Sequence, residues 1–162
     1  MRITACFILI TAALLNACAG APPLDMKDVD TAITPSEAVA RLDKLRGRRV
    51  LWGGVIVSSK NLEKGTLLEL LAYPLNDRQR PRLDREPLGR FIVEHSGYLE
   101  TVDYAPGREL CLTGTVSGTK EVKIDDTIST YPAITSEQLH LWPKGGDGEP
   151  KFHFGVGVMF HN

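Results

Sequence analysis

The chain has 162 residues, 43% hydrophobic and 24% charged, with a formal net charge of −1. That is the size and composition of one ordinary globular domain with some extra length, and it excludes a disordered or fibrous chain. The near-zero balance removes any global electrostatic reason to expect nucleic acid as a partner.

The N-terminus carries the most specific signal. Arg2 is followed by Ile3 to Leu15, uncharged and dominated by Ile, Leu, Phe and Ala. A bilayer-spanning helix needs about 20 such residues, so this run predicts the apolar core of a secretory signal. Leu15-Asn16-Ala17-Cys18 then resembles the lipobox of bacterial lipoproteins, with Asn16 where Ala or Ser is commoner. The chemistry implied is a diacylglycerol thioether on Cys18, cleavage before it, and acylation of the freed amine. Two or three chains make a stable anchor where one is marginal. Ala19 rather than Asp after the cysteine implies sorting to the outer membrane. Arg2 is the only charged residue ahead of Cys18, so the mature chain carries 18 Lys and Arg against 20 Asp and Glu. Cys6 leaves with the leader and Cys18 is acylated, so Cys111 is left as a lone thiol with no internal partner.

Residues 18–33 are expected to be the lipidated cysteine and a flexible tether, small and Pro-bearing at first and then polar through Asp25, Lys27, Asp28 and Asp30. Thr34-Pro35-Ser36-Glu37 reads as a helix start: a capping threonine, proline at the first helical position and glutamate completing a capping box. Ala38, Val39, Leu42 and Leu45 follow at helical spacing, and Gly47 ends the helix. Val50 to Val57 predicts a strand bent or bulged at Gly53-Gly54. Thr66 to Tyr73 predicts the next strand, joined to the first as a hairpin. After a polar stretch from Pro74 to Pro87 come strands at Gly89–Glu94, Arg108–Thr119 and Ser136–Trp142. Phe152, Phe154, Val156, Val158 and Phe160 alternate strictly with other residues and predict a sixth strand. Mainly β, with one short N-terminal helix and five or six strands joined by turns, the chain is expected to form a small antiparallel barrel or sandwich. Residues 1–17 form the signal and 34–162 the single domain.

Catalytic signatures are lacking: no Gly-x-Ser-x-Gly elbow, no phosphate-binding glycine loop and no His-Glu-x-x-His. His153 and His161 share a face of the last predicted strand but lie about 26 Å apart along it, too far for one metal ion. With His95 and His140 they are expected to be hydrogen-bonded or solvated surface residues. Cys111, between Leu110 and Leu112, is expected to be buried and inert. No metal and no cofactor is implied beyond the lipid on Cys18. The one cluster with binding chemistry is basic: Arg78, Arg80, Arg82, Arg85 and Arg90, with Asp84 and Glu86 among them, and Arg46, Arg48 and Arg49 form a second. Guanidinium groups match phosphates of lipid A or anionic phospholipid. The plainer reading, a solvated loop whose charges blunt neighbouring strand edges, takes precedence because no aromatics interleave.

A family likeness runs through these elements in order. It is carried by Leu51-Trp52-Gly53-Gly54-Val55-Ile56, Tyr73-Pro74-Leu75, Gly89-Arg90-Phe91-Ile92, Tyr98-Leu99, Val102-Asp103-Tyr104, Gly107-Arg108, Leu112 to Gly118 and Leu139-His140-Leu141-Trp142-Pro143. Together, and behind a lipobox, they resemble the Slp family of outer-membrane, starvation-inducible lipoproteins over roughly residues 34–143. The resemblance implies a small OB-like β-barrel on the outer membrane, linked to starvation or stress, with no catalytic residues to carry over. The motif residues also have structural explanations of their own: Trp52 and Trp142 as core aromatics, Gly53-Gly54 as a bend, and Gly114 and Gly118 as strand breaks. The expected role is therefore a non-enzymatic structural or binding protein of the envelope, partnered by outer-membrane lipid and other envelope components. The alternative is a periplasm-facing OB-like module that binds a glycan or a phosphate-bearing envelope component.

Overall fold

A computed structural model describes residues 23–124 and 127–145. Cys18, Asp125-Asp126 (which read as turn residues in the sequence), the predicted strand at 152–160, His153 and His161 lie outside the described residues. The elements are α1 (Pro35–Ala40), α2 (Leu42–Leu45), β1 (Arg49–Leu62), β2 (Gly65–Ala72), β3 (Gly89–His95), β4 (Glu109–Ile124) and β5 (Thr127–Leu141).

The helix start has the chemistry read from its sequence. Thr34 Oγ1 accepts from the Glu37 N–H at 3.3 Å, and Glu37 Oε2 accepts from the Thr34 N–H at 3.0 Å. These bonds hold the Glu37 carboxyl below the usual carboxylate range. The single expected helix is instead two short turns, broken where Arg41 takes φ −129°. The break lets both Ala38 and Leu45 enter the core while Val39 stays exposed. Gly47, at φ +83°, turns the chain into β1, and its N–H donates to Val116 O.

The five strands close into a barrel in the order β1-β2-β3-β5-β4. The expected small antiparallel barrel is present, with every junction antiparallel but one. β3 and β5 run parallel over Ile92↔Ala133 to Glu94↔Thr135, because the β4–β5 hairpin carries the chain back before β5 reaches β3. Five strands closed in this order, with a helix against β3 and β5, form a small OB-like barrel. Alternate residues line its interior: Val50, Trp52 and Ile56 from β1, Leu68 and Leu70 from β2, Phe91 and Val93 from β3, Leu110 and Leu112 from β4. Trp52 packs edge-on against Phe91 at 5.2 Å, and its indole N–H is satisfied by Ile33 O at 2.7 Å.

The glycine expectations shift. β1 keeps register through Gly53 and Gly54, and its bulge falls at Val57, between Ile56 and Ser58. The glycines serve close approach, since a Cβ on Gly54 would lie 2.0 Å from Leu71 O. Gly114 and Gly118 do not break β4, which runs on to Ile124 with register shifts beside each of them.

The expected tether is the largest difference. From Leu24 onward it is laid onto the barrel. Leu24 and Ile33 are buried, Asp25 N–H donates to Gln138 Oε1, and Asp30 forms a parallel bridge with Val50 and an ion pair with Arg48 at 2.8 Å. One charge of the expected linker, Asp30, is an anchor to the wall, the segment's backbone is bonded at Asp25 and Asp30, and the two apolar residues that flank the charges are buried.

Candidate functional site

The loop between β2 and β3 is where chemistry-bearing residues gather, and it is folded rather than loose. Leu75 and Pro81 form an isolated antiparallel bridge around a tight turn. Asn76 holds the turn together, its side-chain oxygen accepting from the N–H groups of Arg78 at 2.9 Å and Arg80 at 3.0 Å. The turn places Gln79 at φ +65°, left-handed backbone that a non-glycine residue adopts at some cost. In that conformation Gln79 is almost wholly buried, and its amide grips Leu24 twice: Oε1 accepts from the Leu24 N–H at 3.0 Å, and Nε2 donates to the Leu24 carbonyl at 3.2 Å.

The five arginines do not converge on one anion site. Arg80 makes a two-pronged pair with Glu109 at 2.7 and 3.1 Å, mostly out of solvent, with its guanidinium 5.7 Å over the Trp142 ring. Arg82 and Arg85 share Asp84, at 3.1 and 3.7 Å, and the Arg82 hydrogen bond holds that carboxyl below its ordinary range. Arg90 is on the barrel wall, paired with Glu69 of β2 at 2.7 Å. Arg78 is exposed and forms no ion pair among the described residues. In the second cluster, Arg46 donates to Ser117 O, Arg48 pairs with Asp30 and Arg49 pairs with Glu137. Most of these guanidinium groups already hold a carboxylate or carbonyl, the state of structural arginines.

Beside the loop lies a cavity of about 430 Å³, between residues 31–35, β1 and the end of β2. Ile33, Pro35, Leu51, Leu75 and Leu88 make it mainly apolar, and its volume is that of a small-ligand pocket. Its polar groups are largely committed: the Trp52 indole to Ile33, the Thr34 hydroxyl to the cap, Asn76 to its own turn.

Cys111 is fully buried, and burial pushes its thiol up to about 12, with the Trp142 side chain pulling weakly the other way. A thiol so placed has no reactive anion near neutrality. Trp142 is not the core aromatic expected. It is half-buried outside the core cluster, just past the end of β5, packed edge-on against His140 at 4.5 Å and against the Cys111 thiol. His95 shares a hydrogen bond with Ser136 at 2.8 Å, as expected of a surface histidine. Desolvation pushes His140 below the ordinary histidine range. Among the described residues no group of His, Cys, Asp or Glu is arranged to hold a metal ion, and no helix is long and apolar enough to cross a membrane.

Two residues that organise this region, Gln79 and Asn76, were not legible as functional. Asn76-Asp77 signals a turn, but nothing in the sequence marks Gln79, whose role depends on a partner 55 residues away.

Comparison with known proteins closes the question of family. The chain is 29% identical over 96 residues to a protein of Haemophilus influenzae, covering 59% of this chain and 52% of that protein. It is 27% identical over 96 residues to the uncharacterized lipoprotein YeaY of Escherichia coli, covering 59% and 49%. It is 24% identical over 96 residues to the outer membrane protein Slp of the same organism, covering 59% and 50%. The chain spans about half the length of the curated relatives it matches. Among solved structures, the mitochondrial single-stranded DNA binding protein Rim1 of S. cerevisiae aligns with a TM-score of 0.39 at 11% identity, over 60% of this chain and 97% of that one. That likeness is too loose to carry anything further. The family match is much more extensive, running over residues 15–156, from the lipobox leucine through the whole described barrel. The chain belongs to the outer membrane lipoprotein Slp family, and is a lipoprotein of the cell envelope.

Proposed function

We propose that the chain is held on the outer membrane by acyl chains on Cys18 and acts there as a non-enzymatic, stress-associated structural or binding protein. The observation that carries this reading is the Leu15-Asn16-Ala17-Cys18 lipobox directly ahead of a barrel of the Slp family. The names of two relatives, a lipoprotein and an outer membrane protein, point the same way.

The state of the reactive groups supports a non-catalytic role. The one thiol among the described residues is buried with its pKa pushed to about 12, and Glu109, Glu69 and Glu137 are each tied to an arginine. General acid–base work needs a carboxylate or imidazole free to exchange a proton with substrate, and these are committed. The alternative, a glycan- or phosphate-binding module, draws less support, because Arg80, Arg82, Arg85 and Arg90 already face carboxylates.

Intact-mass measurement of the mature N-terminus from cells, for wild type and Cys18→Ala, tests the anchor. A wild-type chain beginning at an acylated Cys18, with both acylation and membrane retention lost in the variant, is the expected result. An unacylated start elsewhere would make the protein soluble in the periplasm and end this reading.

A further inference from the structure

We infer that the end of the barrel bearing the 74–88 loop is the face laid against the lipid surface, and that the Gln79–Leu24 clamp fixes it there. This rests on the reading that Cys18 is acylated.

The geometry follows from counting chain. Leu24 is six residues beyond Cys18, and an extended chain covers at most about 20 Å over that length. Past Leu24 there is no further slack. The clamp holds its backbone at both the N–H and the carbonyl, Asp25 is bonded to Gln138, and Asp30 is bridged to β1. The anchor therefore pulls on the barrel at the clamp, not at a distant point reached through a free linker. Because Gln79 belongs to the loop turn, the loop lies at the point of pull. The β4–β5 hairpin lies away from it: Ile128 is ten residues along β5 from Gln138, at most about 30 Å at strand rise.

The face is built for a surface rather than a pocket. Leu83 is 49% exposed in the second turn of the loop, next to exposed Asp84 and Arg85, and Arg78 is exposed in the first turn. The loop's solvent-facing charges cancel, Arg78, Arg82 and Arg85 against Asp77, Asp84 and Glu86. Attraction to anionic lipid is thus not what holds the face down. The strap is, and the orientation should persist when salt screens exposed charges.

The test uses the purified acylated lipoprotein in phosphatidylcholine vesicles doped with a headgroup-nitroxide lipid. A fluorophore is attached at Leu83→Cys or at Ile128→Cys; Cys18 has no free thiol once acylated, and Cys111 is buried. Quenching at position 83 should exceed that at 128 severalfold and be unchanged by high salt. Gln79→Gly, which suits the positive φ but removes the clamp, should shrink the difference while the melting temperature stays well above that of the assay. Equal quenching at the two positions in protein proven acylated by mass would overturn the inference and leave the lipoprotein reading standing. Unacylated protein that does not bind vesicles would overturn both.

Discussion

The barrel wall and the layer laid over it are held by different kinds of bond. The wall is made of backbone ladders and alternating apolar side chains, so each residue is supported by many neighbours. The layer, residues 23–33 with the 74–88 loop, is held by individual side chains: Gln79 on Leu24, Asn76 on its own turn, Arg80 on Glu109 and Arg48 on Asp30. A region of the first kind tolerates loss of one surface contact and fails when its packing is violated. A region of the second kind can come apart at one residue while the wall stays intact.

The largest effect should come from the wall. Gly54→Val puts side-chain carbon where Leu71 O already lies, and no flexible neighbour can yield. A loss of about 3 kcal/mol or more is expected, with a melting temperature lowered by about 10 °C or beyond, or no folded protein at all. Unchanged melting by circular dichroism would show that the strand is not closed as described.

Next is the strongest single link of the layer. Arg80→Ala strands Glu109 beside Trp142, mostly shielded from water, and should cost about 2–4 kcal/mol in urea unfolding. Arg82→Ala, exposed and in the same loop, should cost much less. Equal effects would mean that the loop's arginines are all solvated.

Gln79→Ala leaves both backbone groups of a buried Leu24 without their partner and keeps the unfavourable φ, for a loss of about 1–3 kcal/mol. Gln79→Gly should recover part of that loss, since glycine adopts the left-handed region freely. If glycine proves the worse of the two, strain at this turn is not the physical story.

The smallest effect is a pH dependence at the barrel's edge. His140 has its pKa lowered by desolvation, so the folded state binds its proton less readily than the unfolded state does. Stability from this group is present above the ordinary histidine pKa of 6.5 and is lost as pH falls through it toward the lower folded value. Thermal melts between neutral and mildly acid pH should show a slope that His140→Gln flattens.

The two regions also differ in how much of them the sequence reveals. Period-2 alternation and β-branched runs give a part of each of the five strands, because such strands must show one face to a core, but Ser136–Trp142 catches only the second half of β5, and β1 and β4 run on past their expected ends to Leu62 and Ile124. Thr34-Pro35-Ser36-Glu37 gives away the helix cap for an equally local reason. The parallel β3–β5 junction is not local, and no spacing rule announces it. The layer is hidden from the sequence for the same cause. Asp25, Asp28 and Asp30 have the composition of a linker, and only the fold shows Asp30 meeting Arg48 and the segment bridging to β1. The arginines of the loop were conspicuous and turned out to be largely committed to carboxylates, while the residue that joins loop to N-terminus was an unremarkable glutamine.

The central claim is that residues 24–33 are part of the folded body, so that the acyl anchor grips the barrel directly. Amide hydrogen exchange on the mature protein tests it most directly. The N–H groups of Leu24 and Asp30, bonded to Gln79 and to the Arg49 carbonyl, should exchange far more slowly than free chain and should speed up for Leu24 in Gln79→Ala. Exchange at both amides as fast as in an unstructured peptide would contradict the account and restore a free tether.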